Sequence, residues 1–181
     1  MVNPHRRAMV WEHVLDVTRL VRYYDRLRTR YERMRVSIRV IILAGATGVG
    51  LELINFLPTG HEVIKLVVAT IVLLATVLDM ARDYSTKRVR VGLLVEEYGQ
   101  LEGRLTQLWD DIESYSISDD EVRSSLTELE AGMQKLDARS AVMGFTTSKW
   151  LNKSCAKQAY YILDDKYGGP TSRREEATAR A

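Results

Sequence analysis

Cysteine and proline are scarce in this chain, and each scarcity narrows the range of possible folds. Cys155 is the only cysteine, so no disulfide can form within the chain, and a zinc site built from several cysteines is not expected. Pro4, Pro58 and Pro170 are the only prolines, which leaves long stretches without the residue that interrupts helices. Turn residues at the regular spacing of a β-sandwich are also missing. The sequence therefore predicts an all-α fold.

The sequence also lacks a recognisable catalytic or metal-binding arrangement. The three histidines, His5, His13 and His61, are widely separated. Gly45 and Gly50 have the glycine spacing of a phosphate-binding P-loop, but leucine and glutamate follow where that motif has lysine and then serine or threonine. No enzymatic activity, cofactor or metal is therefore expected.

Apolar residues are concentrated in two runs, although the mean hydropathy of the whole chain is slightly negative. The first run covers residues 40–57, which as a helix would be about 27 Å long, close to the thickness of the hydrocarbon core of a bilayer. The second covers about residues 63–81 and contains two charged residues, Lys65 and Asp79, each near one end. A proline and a glycine between the runs favour a turn. The pattern predicts a transmembrane helical hairpin.

Basic residues flank the predicted hairpin on both sides and are absent from the segment that joins its helices. Because lysine and arginine favour the cytoplasmic side of a membrane, both termini are predicted to be cytoplasmic in a multi-pass protein of the cell (inner) membrane. A cleavable signal peptide is not expected, because the first long apolar run begins only near Val40. The flanking residues are Arg33, Arg35 and Arg39 before the hairpin, and Arg82, Lys87, Arg88 and Arg90 after it.

A soluble bundle with two buried helices is the alternative to a membrane hairpin. Residues 66–78 contain only Thr70 and Thr76 as polar residues, and a helix that is apolar on all sides is buried either in a protein core or in lipid. A chain of 181 residues has little protein left to surround two such helices. The membrane interpretation is therefore preferred.

Three polar residues, Glu52, Asn55 and Lys65, lie inside the predicted hairpin. Relative to Gly60 in the turn, Glu52 is eight positions before and Lys65 five positions after, so an antiparallel hairpin would place them about 4.5 Å apart along its axis. In one interpretation these two charges pair with each other, or Lys65 extends to the interface. In the other, they line an aqueous path with Asn55 when several hairpins assemble.

Small residues form a patch in the first apolar run, at a four-residue spacing that lets helix backbones approach closely. The patch either seats the second helix of the same hairpin or forms a contact between two copies of the chain. Its members are Ala44, Gly45, Ala46, Gly48 and Gly50.

An amphipathic helix is predicted over residues 8–35. The segment 1–39 around it holds ten arginines against four acidic residues, a net charge of +6. Such a helix suits the anionic headgroups of a bilayer. Nucleic-acid binding is the alternative for an Arg-rich face, but it is not expected beside a membrane segment, where basic flanks are ordinary. The apolar positions, at spacings of three, four and seven residues, are Val10, Val14, Val17, Val21, Tyr24 and Tyr31.

Two apolar stripes after the hairpin predict two helices joined by a short turn. They favour an antiparallel pair of helices, with coiled-coil pairing between chains as the alternative. At the turn, Ser118 and Glu121 have the spacing of a capping box. The stripes are Leu94, Tyr98, Leu101, Leu105, Leu108, Ile112 and Tyr115, and then Val122, Leu126, Leu129, Met133 and Leu136.

Charge is distributed unevenly between these helices and the first one. Residues 96–137 hold twelve acidic residues against three basic ones, a net charge of −9. This acidic pair of helices is predicted to dock on the Arg-rich first helix, which would explain the asymmetry without an external ligand. A last helix is predicted over residues 148–167, with Trp150, Leu151, Ala159, Ile162 and Leu163 as buried candidates.

The predicted organisation has four parts. They are an Arg-rich cytoplasmic helix (1–39), the transmembrane hairpin (40–81), a cytoplasmic helical region that forms a small bundle (82–167) and a polar, disordered tail (168–181).

This order of elements resembles the SLATT family of prokaryotic effectors with two transmembrane helices. The resemblance covers roughly residues 10–167 and rests on the layout, with RLRTRYERMR before the apolar helices and YGQLEGRLTQLWDDIE after them. It implies a pore-forming or membrane-depolarising effector in anti-phage defence or programmed cell death. It also implies a nucleotide-signalling or sensor protein as a partner. The predicted effector acts as a homo-oligomer in the lipid bilayer, and the alternative is a membrane-anchored interaction or scaffold protein without conductance.

Overall fold

The computed structural model describes residues 2–46, 67, 69–77, 83–145 and 148–167. All regular secondary structure in these ranges is helical, which confirms the predicted all-α fold. Residues 69–77 are helical, and the longer helices of the described ranges are α1 (Pro4–Ala46), α2 (Tyr84–Glu113), α3 (Asp119–Val142) and α4 (Lys149–Tyr167).

The chain divides into two compact units. The first, which we call the helical bundle, consists of Met1–Arg26 and Gly92–Ala181, and the second consists of Leu27–Val91. α1 and α2 therefore each contribute residues to both units. The predicted tail, residues 168–181, lies outside the described residues.

α1 begins earlier than the amphipathic pattern predicts, because a capping signal precedes that pattern. Asn3 accepts a hydrogen bond from the His5 amide at its side-chain oxygen, at 2.9 Å, and from the Arg7 amide at its carbonyl, at 3.1 Å. Pro4 then occupies the first helical position, where its missing N–H would have no helical partner in any case. The helix continues without a break through Val40, where the first apolar run begins.

α1, α2, α3 and α4 each contribute one apolar stripe to the core of the helical bundle. The spacing in the sequence predicts most of these positions, so the amphipathic interpretation of α1, α2 and α3 is confirmed. The buried apolar residues include Val10, Val14, Val17, Val21 and Tyr24 of α1, Leu94, Tyr98, Leu101, Leu105, Leu108, Trp109 and Ile112 of α2, Val122, Leu126, Leu129 and Leu136 of α3, and Cys155, Ala159 and Leu163 of α4.

α2 and α3 pack as an antiparallel pair within the same chain. The pairings run in opposite directions along the two helices: Glu97 with Arg139, Tyr98 with Asp137, and Arg104 with Glu128. At Gly132 the helices are in contact, since an added Cβ would lie 3.4 Å from Leu101 Cδ2. This arrangement confirms the predicted antiparallel hairpin of helices.

The predicted burial of Tyr115 is wrong, because α2 ends at Glu113 and the chain then turns away. Tyr115 has a left-handed φ of 58°. Its amide donates to the Ile112 carbonyl at 3.2 Å, and the Ser116 amide donates to the Asp111 carbonyl at 3.1 Å. These two bonds form a Schellman motif, which leaves the tyrosine side chain exposed.

The starts of α3 and α4 are set by serine caps. Ser118 accepts from the Glu121 amide at 3.4 Å while the Ser118 amide donates to the Glu121 carboxylate at 2.9 Å, so the predicted capping box is confirmed. Ser148 caps α4 in a similar way by accepting from the Leu151 amide. The predicted burial of Trp150 is wrong: it lies in the first turn of α4, on the side opposite the buried residues, and is 77% exposed.

Candidate functional site

The described parts of the two apolar runs carry large apolar side chains that are exposed. Within residues 69–77, Val72 is half-buried and Ala75 is buried. The Thr76 hydroxyl donates to the Val72 carbonyl at 2.9 Å, so this polar group is satisfied within its own helix. The exposed residues are Val40, Ile41 and Leu43 in α1, and Val67, Ile71, Leu73, Leu74 and Val77.

Most of the predicted intramembrane residues lie outside the described part of the chain. These are Glu52, Asn55 and Lys65, together with Gly48 and Gly50 of the small-residue patch. Their pairing or pore-lining role therefore stays a prediction. Of the rest of the patch, Gly45 and Ala46 form the last residues of α1, and Ala44 is exposed in its last turn. No helix among the described residues has a segment both long and apolar enough to cross a membrane.

The predicted basic flanks are largely exposed. On α1, Arg33 and Arg39 are exposed and Arg35 is half-buried, and on α2, Lys87 and Arg90 are exposed. The guanidinium of Arg88 forms an ion pair with Glu32, within the second unit. Arg82 lies outside the described residues.

Ion pairs join the Arg-rich start of α1 to the acidic pair of helices, as the charge asymmetry predicts. Arg6 pairs with Asp119, and Arg7 pairs with Glu113 while its guanidinium lies 5.5 Å from the centre of the Trp109 ring. About two helical turns further on, His13 Nε2 lies 3.1 Å from Glu130 Oε1. Acidic side chains of α2 and α3 therefore pair with some of the basic side chains of α1 within the same chain.

Asp119 accepts hydrogen bonds from two residues near the start of α1. The Asn3 amide donates to its Oδ1 at 3.0 Å, and the Arg6 guanidinium donates to its Oδ2 and to its backbone carbonyl. The Asn3 amide, followed by the charge of Arg6, holds the pKa of Asp119 below its usual range. The start of α3 is thus held against the start of α1 by an ionised carboxylate.

The other end of the bundle segment of α1 is held to α4 by one arginine. Arg26 donates to the Ser154 hydroxyl at 2.8 Å and to the Gln158 side-chain oxygen at 2.7 Å. Cys155 lies beside these contacts and is fully buried. Burial raises the pKa of the Cys155 thiol, and Arg26 opposes that shift only in part, so the thiol stays protonated and acts as a packing group.

A buried pair of tyrosines lies where α1, α2 and α3 meet. The rings of Tyr24 and Tyr98 are stacked, with centroids 5.4 Å apart and planes at 13°. The Tyr98 hydroxyl donates to Asp137 Oδ1 at 2.6 Å. Burial, and then Asp137, raises the pKa of Tyr98 far above its usual value, and burial likewise raises that of Tyr24. Both rings are therefore held in the neutral form.

Replacing Tyr98 with phenylalanine is expected to lower the stability of the bundle by about 1–2 kcal/mol, because it removes a hydrogen bond to a charged carboxylate. Near neutral pH this corresponds to a decrease in Tm of roughly 3–6 °C, measurable by circular dichroism of the full chain in detergent. The phenol contributes stability in full below its unfolded pKa of about 10, and that contribution is lost as pH rises further. The Tm difference between the parent and Tyr98→Phe is therefore expected to shrink above pH ~10.

Tyr115→Phe is the matched control, because it removes the same hydroxyl from an exposed ring. It is expected to follow the parent at every pH. A Tyr98→Phe chain that keeps a constant Tm deficit from neutral to strongly alkaline pH would show that the buried phenol is not linked to stability.

Comparison of this chain with known proteins found no relatives. No family model, no curated protein and no solved structure matches the chain. Within the described ranges, no group of three or more His, Cys, Asp or Glu side chains is placed to hold a metal ion.

Proposed function

We propose that this chain is a membrane effector whose hairpin, over about residues 40–57 and 63–81, spans the cell membrane with both termini in the cytoplasm. The observation that carries the proposal is the exposure of apolar side chains in both runs. Leu43 is 63% exposed near the end of α1, and Leu73 is 65% exposed within residues 69–77.

These exposed side chains need an apolar environment other than the described core of the chain. Burying one leucine contributes about 1.5–3 kcal/mol, and a contiguous group of exposed apolar side chains marks a surface for protein or membrane. A bilayer accommodates both runs at once, since each has a length that suits its hydrocarbon core. The satisfied hydroxyl of Thr76 is compatible with lipid, where a polar group without a partner would be costly.

The charges around the hairpin support the orientation. Arg33 and Arg39 precede the first run, and Lys87 and Arg90 follow the second, all four with exposed side chains. Basic residues at both flanks, with none in the connecting segment, favour the same side for both termini.

The effector acts by assembly of hairpins and loss of the ion gradient. The small-residue patch would let helices of neighbouring copies approach closely, and Glu52, Asn55 and Lys65 would line or gate the resulting path. The resemblance to the SLATT family supports a role in prokaryotic anti-phage defence or programmed cell death, with a nucleotide-signalling or sensor protein as the source of the trigger.

The membrane potential of a bacterial host during induced expression tests this function. A voltage-sensitive dye, read together with growth, is expected to report rapid depolarisation with the parent chain. Glu52→Leu and Lys65→Leu are expected to abolish most of it. Glu96→Leu and Lys135→Leu make the same changes at exposed positions of α2 and α3, outside the hairpin, and are expected to depolarise like the parent.

Two outcomes would contradict parts of the proposal. If Glu52→Leu and Lys65→Leu depolarise as fully as the parent, these residues do not line the path. If the potential is unchanged during expression and also during phage infection, with the protein recovered in the membrane, the chain is an anchored interaction protein rather than a conducting effector.

A further inference from the structure

One face of α4 combines lysines with aromatic side chains, all of them exposed. Trp150 is 77% exposed and Tyr161 is 59% exposed, although both are large apolar groups. We call this surface the lysine–aromatic face. Its members are Lys149, Trp150, Lys153, Lys157, Tyr160 and Tyr161, all of them exposed.

The six residues lie together on the helix surface. At 3.6 residues per turn they fall within an arc of about 120°. The buried residues of α4, Cys155, Ala159 and Leu163, lie on the far side of the helix, where they join the bundle core. α4 is therefore amphipathic in an unusual way, since its outward face holds both cations and large aromatic rings.

The charge of this face is not neutralised within the described part of the chain. Lys149, Lys153 and Lys157 form no ion pair with any described residue, and the Lys157 ammonium lies 5.7 Å from the centre of the Tyr161 ring. The first acidic residue of α4 is Asp164, half-buried at the end of the face. The first three turns of α4 thus present positive charge alone.

We propose that the lysine–aromatic face docks on an anionic phospholipid surface. Tryptophan and tyrosine favour the interface of a bilayer, where the ring is in contact with acyl chains and its polar group stays hydrated. Each lysine close to an anionic surface strengthens binding about fivefold. The exposed face of a single helix is convex and can lie along the surface of a bilayer. Single-stranded nucleic acid, in contrast, binds in grooves of a protein surface.

This docking goes beyond the proposed function, because it concerns the helical bundle and does not depend on the hairpin. The probes are vesicles of phosphatidylcholine alone and vesicles that also contain phosphatidylglycerol, in each case with brominated acyl chains that quench nearby tryptophan. The full chain is measured beside Trp150→Phe, and the difference between the two isolates the emission of Trp150 from that of Trp11 and Trp109.

The Trp150 emission is expected to be quenched and blue-shifted in anionic vesicles and to stay unchanged in neutral ones. The double variant Lys153→Gln/Lys157→Gln is expected to weaken docking: the ratio of protein with this face bound to lipid to protein with the face free decreases roughly 30-fold. The double variant Arg123→Gln/Lys135→Gln removes the same charge from exposed positions of α3 and is expected to dock like the parent.

Equal Trp150 emission in neutral and anionic vesicles would overturn the proposal. So would an emission change that a single-stranded oligonucleotide produces and anionic vesicles do not. Flotation with neutral vesicles tests the membrane-spanning hairpin separately from the docking of α4. A chain that does not float with neutral vesicles has no membrane-spanning hairpin. Its docking is then measured directly by flotation with anionic vesicles.

Discussion

Replacing Leu94 with alanine is expected to destabilise the helical bundle by about 2–5 kcal/mol. Leu94 is 0% exposed and lies in the apolar stripe of α2. The smaller side chain would lose the transfer free energy of the removed atoms and leave a cavity that neighbouring helices fill only in part. Thermal unfolding of the full chain in detergent, followed by circular dichroism, is expected to show a decrease in Tm of roughly 5–15 °C.

Leu93 is the matched control for this substitution. It is the preceding residue of the same helix and is 50% exposed. Leu93→Ala changes the same atoms with little loss of buried surface, so its effect is expected to stay within about 0.5 kcal/mol. Similar losses of stability in the two variants would mean that the buried face of α2 is assigned incorrectly.

The buried positions of the bundle are predictable because helical periodicity records them directly. In a helix, residues at spacings of three and four share one face, so an apolar stripe identifies that face without knowledge of its partner. Val10, Val14 and Val17 of α1 are all buried, as their spacing predicts. The capping box at Ser118 is also predictable, since both of its partners lie within one turn of the chain.

The same periodicity fails where a helix ends. Tyr115 continues the stripe of α2 in sequence, but the left-handed turn after Glu113 removes it from the helical face. Apolar spacing carries no information on that turn. Asn3 and Pro4 do carry a helix-start signal, an N-cap residue followed by proline, and it accounts for the early start of α1.

Charge blocks predict which helices associate but not which side chains meet. The net charges of +6 and −9 predict that the acidic helices dock on α1. The pairs Arg6–Asp119 and Arg7–Glu113 depend on how the helices are aligned along each other, which no local pattern specifies. The bond from Tyr98 to Asp137 has the same origin: its partners are 39 residues apart and meet only when α2 and α3 pack.

Replacing Leu73 with arginine is expected to remove the second apolar run from the membrane. Leu73 lies at the centre of residues 63–81, where arginine costs about 2.5–3.5 kcal/mol, or roughly a hundredfold in the insertion equilibrium. In water the same change would have little effect, because the leucine is 65% exposed and arginine is a good helix former. The measurement is the fraction of induced chain that resists carbonate extraction from membranes, together with the membrane potential.

Leu93→Arg provides the control, since it introduces the same charge at another exposed leucine outside the predicted hairpin. It is expected to remain in the membrane and to depolarise the host like the parent. If Leu73→Arg also stays in the membrane fraction and depolarises fully, residues 63–81 do not span the bilayer. The exposed apolar side chains would then belong to a contact between proteins. This test is sensitive because the Leu73 side chain is exposed. A charge at this position is costly only if lipid or an apolar protein surface surrounds it.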